Sequence, residues 1–150
     1  MSQIEIRAAV ERELPAIVAL LADDVLGAGR ETPDDLAPYL AAFARLNADP
    51  NQLLAVAVRA DAVVGTLQLS IVPGLSRRGR TRSIIEAVRV HRDERGSGLG
   101  TTMIEWAIAE SVRRGCALVQ LTSDRTRTDA HRFYERLGFT ATHVGFKLEL

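Results

Sequence analysis

The sequence predicts a single α/β domain. Apolar residues switch between a period of two and a period of 3.6 in the order β-α-α-β-β-β-α-β-α-β, the rhythm of strands interleaved with helices. A chain of 150 residues is a size that one hydrophobic core serves. No linker, internal repeat or low-complexity tract interrupts the pattern, and 47% hydrophobic with 25% charged residues is ordinary for a folded domain.

Each element has a local reason. Ile4-Glu5-Ile6-Arg7 alternates and predicts a first strand. Leu14, Ile17, Val18 and Leu21 recur at helical spacing, with Pro15 tolerated in the first turn. Residues 27–33 are a loop by composition. A second helix is expected from near Asp34, with Leu36, Leu40, Phe43 and Leu46 on one face, broken at Asp49-Pro50-Asn51. The runs 53–58 and 63–72 read as strands joined by a turn around Ala60-Asp61, a hairpin signal. Pro73-Gly74 ends the second run, and residues 76–82 form a basic loop. A strand over 84–90 is rich in β-branched residues. A helix over 99–114 follows, striped by Ile104, Ala107, Ile108 and Val112, with Arg113 and Arg114 at the negative end of its dipole and Gly115 as its cap. Residues 118–122 read as a buried strand. Thr128 is expected to cap a helix carrying Ala130, Phe133, Tyr134 and Leu137 on one face, closed by Gly138. Phe146-Lys147-Leu148-Glu149-Leu150 alternates as a final strand.

Several function classes are disfavoured. Nineteen basic and nineteen acidic side chains cancel, whereas a nucleic-acid binder usually carries a basic excess. One cysteine, Cys116, allows no intramolecular disulfide and reads as a small buried hydrophobe. His91, His131 and His143 lack metal-ligand spacing, so no metal is expected. Met1-Ser2-Gln3-Ile4-Glu5 shows no signal-peptide pattern, no run is long enough to span a bilayer, and the expectation is a cytoplasmic protein. Arg77, Arg78, Arg80 and Arg82 read as a solvated loop, with capture of an acidic acceptor or partner as the alternative.

The chemistry concentrates after the strand over 84–90, in His91-Arg92-Asp93-Glu94-Arg95-Gly96-Ser97-Gly98-Leu99-Gly100-Thr101. A strand, glycines and a helix N-terminus make a cradle for phosphate. Unpaired N–H groups and the positive dipole end face the anion, and glycines remove the Cβ atoms that would hold it off. Arg95 adds a positive charge. A P-loop fails, because Gly100 is followed by Thr101-Thr102 rather than a lysine. A dinucleotide-binding fingerprint is a closer rival, with Asp124 at about the right distance. Against it, Thr101 stands where the third glycine belongs, and five residues separate Val90 from Gly96.

Arg95-x-x-Gly98-x-Gly100, followed by Ala130-His131-Arg132-Phe133-Tyr134-Glu135-Arg136-Leu137-Gly138-Phe139, resembles the GCN5-related N-acetyltransferase (GNAT) superfamily over essentially the whole chain. The resemblance implies a three-layer domain with a mostly antiparallel mixed sheet of six to seven strands and helices on both faces. It implies acetyl-CoA as cosubstrate, with Arg95, Gly96, Ser97, Gly98, Leu99, Gly100 and Thr101 holding the pyrophosphate and backbone groups around Val88, Arg89 and Val90 pairing with the pantetheine arm. The strands over 84–90 and 118–122 are expected to splay around that arm. Tyr134 matches the tyrosine that protonates the departing thiolate, and Glu86 the acidic residue that deprotonates the amine. Glu86 sits in an otherwise apolar strand, where burial would raise a carboxylate's pKa; pairing with Arg82 or Arg89 is the alternative. Arg127 stands where the family often has an asparagine, which leaves one cofactor contact open. His143 and the loop over 27–35, with Arg30 and Glu31, fall where the family shapes its acceptor pocket. The expected reaction is acetyl transfer to a primary amine of a small molecule. Acetylation of protein N-termini or lysines, and a non-catalytic acyl-CoA-binding regulatory module, are the alternatives. A homodimer is what the family suggests.

Overall fold

The computed structural model describes residues 3–150, so Met1 and Ser2 lie outside the described residues. Five strands form one sheet in the order β1-β2-β3-β4-β5: Ile4–Ala8, Gln52–Arg59, Ala62–Val72, Arg82–Val90 and Leu118–Leu121. The longer helices are α1 (Leu14–Ala22), α2 (Ala37–Ala48), α3 (Leu99–Arg113) and α4 (Thr128–Arg136). The chain divides into two compact units, one running to Gln120 and the other from Leu121 to Leu150.

In the first unit β1 pairs with β2, β2 with β3 and β3 with β4, all antiparallel. Ala60 and Asp61 turn the β2–β3 hairpin with φ of 49° and 65°, the positive values that a two-residue hairpin turn needs. Because side chains alternate, the register assigns each residue to a face. Val56 and Val58 of β2 are buried in one cluster with Ala9, Leu14 and Ile17 from the α1 side and Phe43 of α2. Ala57 lies opposite Gly65 on the other face. A Cβ built on Gly65 would stand 2.6 Å from Met103 Sδ, so the end of the Met103 side chain fills the space that the missing Cβ leaves. Helices therefore cover both faces of the sheet. Leu67, Leu69, Ile85, Met103 and Ile104 are almost fully buried, each contributing about 1.5–3 kcal/mol by leaving water.

Ser83 of β4 and Ser111 of α3 are both buried, and their hydroxyls meet at 2.7 Å. Ser111 Oγ also donates to the Ala107 carbonyl at 2.7 Å. The α3 stripe runs through Leu99, Met103, Ile104, Ala107 and Ser111. Val112, expected in it, is 68% exposed, since the row advances in steps of four from Leu99. Leu40 is likewise exposed on α2, which begins at Ala37 where the Asp35 carboxylate accepts the first N–H. The basic loop is an exposed turn, Ser76–Gly79, with Arg77 and Arg78 in the left-handed region.

The strand expected as buried over 118–122 is β5, the edge of the sheet, with Leu118 exposed and Val119, Gln120 and Leu121 half-buried. An edge strand has a neighbour on one side only.

In the second unit Asp124 organises the approach to α4. Its carboxylate accepts the Thr126 N–H at 2.9 Å and hydroxyl at 2.6 Å, and its carbonyl accepts the Arg127 N–H at 3.0 Å. Helix α4 starts at Thr128, whose side chain makes no cap; that work falls to the Asp124 turn. Ala130, Phe133, Tyr134 and Leu137 share a half-buried face. No final strand forms over 146–150 among the described residues, and the sheet has five strands rather than six or seven. Phe146, Leu148 and Leu150 are exposed. Alternation marks two faces of an extended chain but supplies no neighbour for its N–H and C=O groups.

No helix of the described residues is long and apolar enough to cross a membrane. Among those residues no group of three His, Cys, Asp or Glu side chains is arranged to hold a metal ion.

Candidate active site

The site in the first unit starts from an irregularity in β4. Gln68 pairs with Glu86 and Thr66 with Arg89, so Ala87 and Val88 together oppose Leu67. This is a β-bulge, and it takes Val88 out of the regular ladder. Ala87 adopts φ of 53°, a left-handed conformation that costs a non-glycine residue about 1–2 kcal/mol. Glu86 lies on the sheet face covered by α1 and α2 by the regular register, and the extra residue brings Arg89 to that same face. Val90, opposite Gly65, then faces α3.

Glu86 is exposed rather than buried, which corrects the expectation drawn from its apolar strand. Its cross-strand neighbour is Gln68, and the face there is polar. Among the described residues the Glu86 side chain has no hydrogen bond or ion pair, so neither Arg82 nor Arg89 neutralises it. Arg89 instead meets the Asp24 carboxylate at 2.9 Å and donates to the Val88 carbonyl at 2.9 Å. Arg92 pairs with Asp23 at 2.7 Å. The end of α1 is thus tied to β4 on both sides of the turn at His91.

Glu86 lines an open cavity of about 550 Å³ between the sheet and the C-terminal half of α2, within the size range of small-molecule sites. Gln68 and Ser70 of β3, Gln52 of β2, and Arg45 and Asp49 of the α2 end complete its polar lining. None of these five was singled out from the sequence. A signal was present: Gln68 and Ser70 are polar residues two apart in the apolar run 63–72, which marks a wet patch on one strand face. No residue of the loop over 27–35 lines this cavity. Tyr39 holds that loop elsewhere, donating to Glu31 at 2.9 Å and accepting the Thr32 N–H at 2.8 Å.

Beyond Val90 the chain makes a short helical turn, Arg92–Glu94, and enters the glycines. Arg59, at the end of β2, pairs with Glu94 at 2.7 Å and holds its carboxyl below the ordinary range, with the Ser97 hydroxyl adding to the effect. Gly98 is the N-cap of α3 with φ of 88° and no side-chain cap. The first regular helical bond runs from Thr102 N–H to the Gly98 carbonyl at 3.1 Å. Upstream of it the amides of Gly96, Gly98, Gly100 and Thr101 have no backbone acceptor among the described residues, and all four could reach an anion. Ser97 N–H is taken by the Glu94 carbonyl at 3.1 Å, and Leu99 is buried as the anchor of the helix start. Arg95 is exposed beside the turn with no ion pair among the described residues. The free amides and the missing Cβ atoms fit a pyrophosphate.

One continuous stretch, β4 through the start of α3, therefore carries Glu86, Val88, Arg89, Val90 and the glycine turn. β5 lies next to β4, and Ala117 N–H bonds the Thr81 carbonyl at 2.8 Å where the two strands begin. Tyr134 and Arg127 belong to the second unit. Tyr134 is half-buried and packs edge-on against Phe133 at 5.1 Å and Phe139 at 5.9 Å. Arg127 is exposed at the N-terminus of α4. His143 bonds its neighbour Thr142 through Nδ1 at 2.5 Å. Burial pushes the Cys116 thiol up, opposite to what a nucleophilic thiolate requires.

A helix-covered sheet with a bulged strand feeding a glycine turn presents free amides to a phosphate-bearing ligand. The family described as the acetyltransferase (GNAT) family matches residues 14–139, and the chain belongs to it. Members of that family use acetyl-CoA as cosubstrate. The chain is 30% identical over 146 residues to the aminoalkylphosphonate N-acetyltransferase of Salmonella typhimurium, covering 97% of this chain and 91% of that protein. It is 38% identical over 88 residues to the glucosamine 6-phosphate N-acetyltransferase of Trypanosoma brucei brucei, covering 59% of this chain and 58% of that one. Its fold is similar to the crystal structure of a transcriptional regulator from Bacillus halodurans C-125, with a TM-score of 0.95, 43% identity, and 99% and 100% of the two chains covered.

Proposed function

We propose that this protein transfers an acetyl group from acetyl-CoA directly to the primary amine of a small molecule. The observation that carries the reading is the unpaired Glu86 carboxylate, which lines a cavity on the strand that leads, through the bulge, into the glycine turn. The two relatives named as N-acetyltransferases of small molecules support it. The family match crosses both units, which supports treating residues 1–150 as one acetyltransferase domain.

In this reading the amides of Gly96, Gly98, Gly100 and Thr101, with Arg95, bind the pyrophosphate. The amides of Ser97 and Leu99 complete the turn, and Arg127 adds a cofactor contact. Backbone groups at Val88, Arg89 and Val90 align the pantetheine arm as a strand would. Glu86 removes a proton from the amine, directly or through water, as nitrogen bonds to the thioester carbonyl carbon. Tyr134 gives its phenolic proton to the sulfur as the C–S bond breaks. The products are the N-acetyl amide and the free thiol of CoA, and no covalent enzyme intermediate is required.

Isothermal titration with acetyl-CoA, CoA and NAD⁺ in parallel tests the cofactor. Saturable binding of the two CoA species without NAD⁺ is expected, followed by thiol release when amines are added. Absence of CoA binding overturns the reading. A second reading, an acyl-CoA-binding regulatory module, is favoured by the 43% identity to a protein described as a transcriptional regulator. CoA binding with no turnover on any amine would select it.

A further inference from the structure

The cavity beside Glu86 carries a carboxylate without an ion-pair partner at its β4 end and a guanidinium without one, Arg45, at its α2 end, with a hydrogen-bonded patch of Gln52, Gln68 and Ser70 between them. Gln68 Nε2 donates to Gln52 Oε1 at 3.0 Å, and Ser70 Oγ donates to the same oxygen at 3.0 Å. Gln52 has thus committed its carbonyl twice, and its NH₂ group is what it has left for a ligand. Gln68 has committed one N–H of its NH₂, which leaves its other N–H and its carbonyl, one cross-strand step from Glu86. The Glu86 carboxylate, with the Gln68 amide beside it, lies at the β4 end. The Gln52 side chain and the Arg45 guanidinium lie at the β2 and α2 end, where the second carboxylate oxygen of Asp49 is an acceptor. The two ends are two strand spacings apart, about 9–10 Å.

Arg45 is exposed and has no ion pair or hydrogen bond among the described residues. Asp49, the acidic residue nearest it in the chain, has one carboxylate oxygen committed to the Asn51 N–H at 2.8 Å. Asp49 and Arg45 do not pair. A free guanidinium lining a cavity is a fork of N–H donors suited to an oxyanion. An acceptor placed with its amine at Glu86 extends its other end toward that fork.

Resting on the acetyl-transfer reading above, we propose that the acceptor is a primary amine whose far end is an oxyanion, and that Arg45, with Gln52, is the specificity-determining group that binds it. A phosphorus oxyanion and a carboxylate present the same acceptor oxygens to Arg45, and the test separates the two.

The test measures kcat/KM for thiol release with 2-aminoethylphosphonate, O-phosphoethanolamine and β-alanine, against ethanolamine and n-propylamine as amines without the anion. The acidic amines should be preferred by about 10- to 100-fold, the value of a charge-assisted contact. The two phosphorus acids and β-alanine separate a phosphorus oxyanion from a carboxylate. Arg45→Gln should cut the acidic-to-neutral ratio by a similar factor, mostly through KM, and Arg45→Lys should restore part of it. Titration of 2-aminoethylphosphonate into the CoA-loaded protein reads the same contact without turnover, and its Kd should weaken in Arg45→Gln. Circular dichroism of Arg45→Gln checks that helix α2 is intact. Equal rates for acidic and neutral amines, with Arg45→Gln leaving their ratio alone, would overturn this inference while the acetyltransferase reading stands. No thiol release with any amine, and no binding of 2-aminoethylphosphonate, would overturn both.

Discussion

The two ends of the β4-to-α3 stretch are built from different materials. The glycine turn is a backbone site, made of N–H groups that any sequence possesses and that only a certain set of φ angles exposes. The cavity beside Glu86 is a side-chain site, assembled from β2, β3, β4 and α2. A backbone site is written in consecutive residues and tolerates change outside them. A side-chain site is scattered along the chain and can change its ligand by single substitutions, which suits a family whose members share a cosubstrate and differ in acceptor.

Exchanging one end at a time separates the two. The largest effect is expected from Glu86→Gln, which should lower kcat/KM for amine acetylation about 10²–10⁴-fold and leave the Kd of acetyl-CoA near that of the wild type. A variant with full activity would remove Glu86 from the chemistry. Gly98→Val should do the reverse. A Cβ at position 98 meets nothing within 4 Å, so the penalty is conformational: a β-branched residue is forced to φ of 88° at the helix cap. Titration should show the acetyl-CoA Kd raised roughly 5- to 150-fold, whereas Gly98→Asn, which tolerates that φ, should stay much closer to wild type. Equal binding by both variants would mean that the turn's geometry is not what holds the pyrophosphate.

The smallest effect concerns the ion pair that braces the turn. Arg59 lowers the Glu94 pKa in the folded protein. Its contribution is therefore present above the unfolded carboxylate value, about 4.3, and is lost as pH falls through the lower folded value. Glu94→Gln lacks that titration, so its melting temperature should fall less steeply over this acid window than the wild type's. Identical slopes would show that the Arg59–Glu94 pair does not support the turn. The pair is partly solvated, and the difference should be modest.

The same contrast explains what could be read from the sequence. The hairpin at Ala60-Asp61, the paired helices after β1 and the glycine cap of α3 are each specified by neighbours within a few residues, and each stands where periodicity and turn chemistry put it. The donors and acceptors of the cavity are 41 residues apart at their extremes, Arg45 and Glu86, and only the sheet register brings them to one face. The bulge had no signal at all, because alanine is not the residue that left-handed backbone selects. Glu86 is exposed for a related reason: its adjacent apolar residue Ile85 points to the other face, while its neighbours in the cavity are glutamine and serine. The alternation of Phe146, Leu148 and Leu150 is real, yet pairing requires a partner that no local pattern encodes.

The extra residue in β4 can also be seen as a phase slip. A strand beats with a period of two, and Ala87 inserts a half-cycle between Glu86 and Arg89. Every side chain downstream is delivered to the face opposite the one an unbroken count would give. That is how Arg89 reaches Asp24 on one side of the sheet while Val90 lies against Gly65 on the other. The chain then arrives at His91 in the phase that launches the glycine turn and α3 from the face where Met103 and Ile104 find their core. Removing one residue from the bulge would therefore not simply tidy the sheet; it would transpose the whole passage that follows.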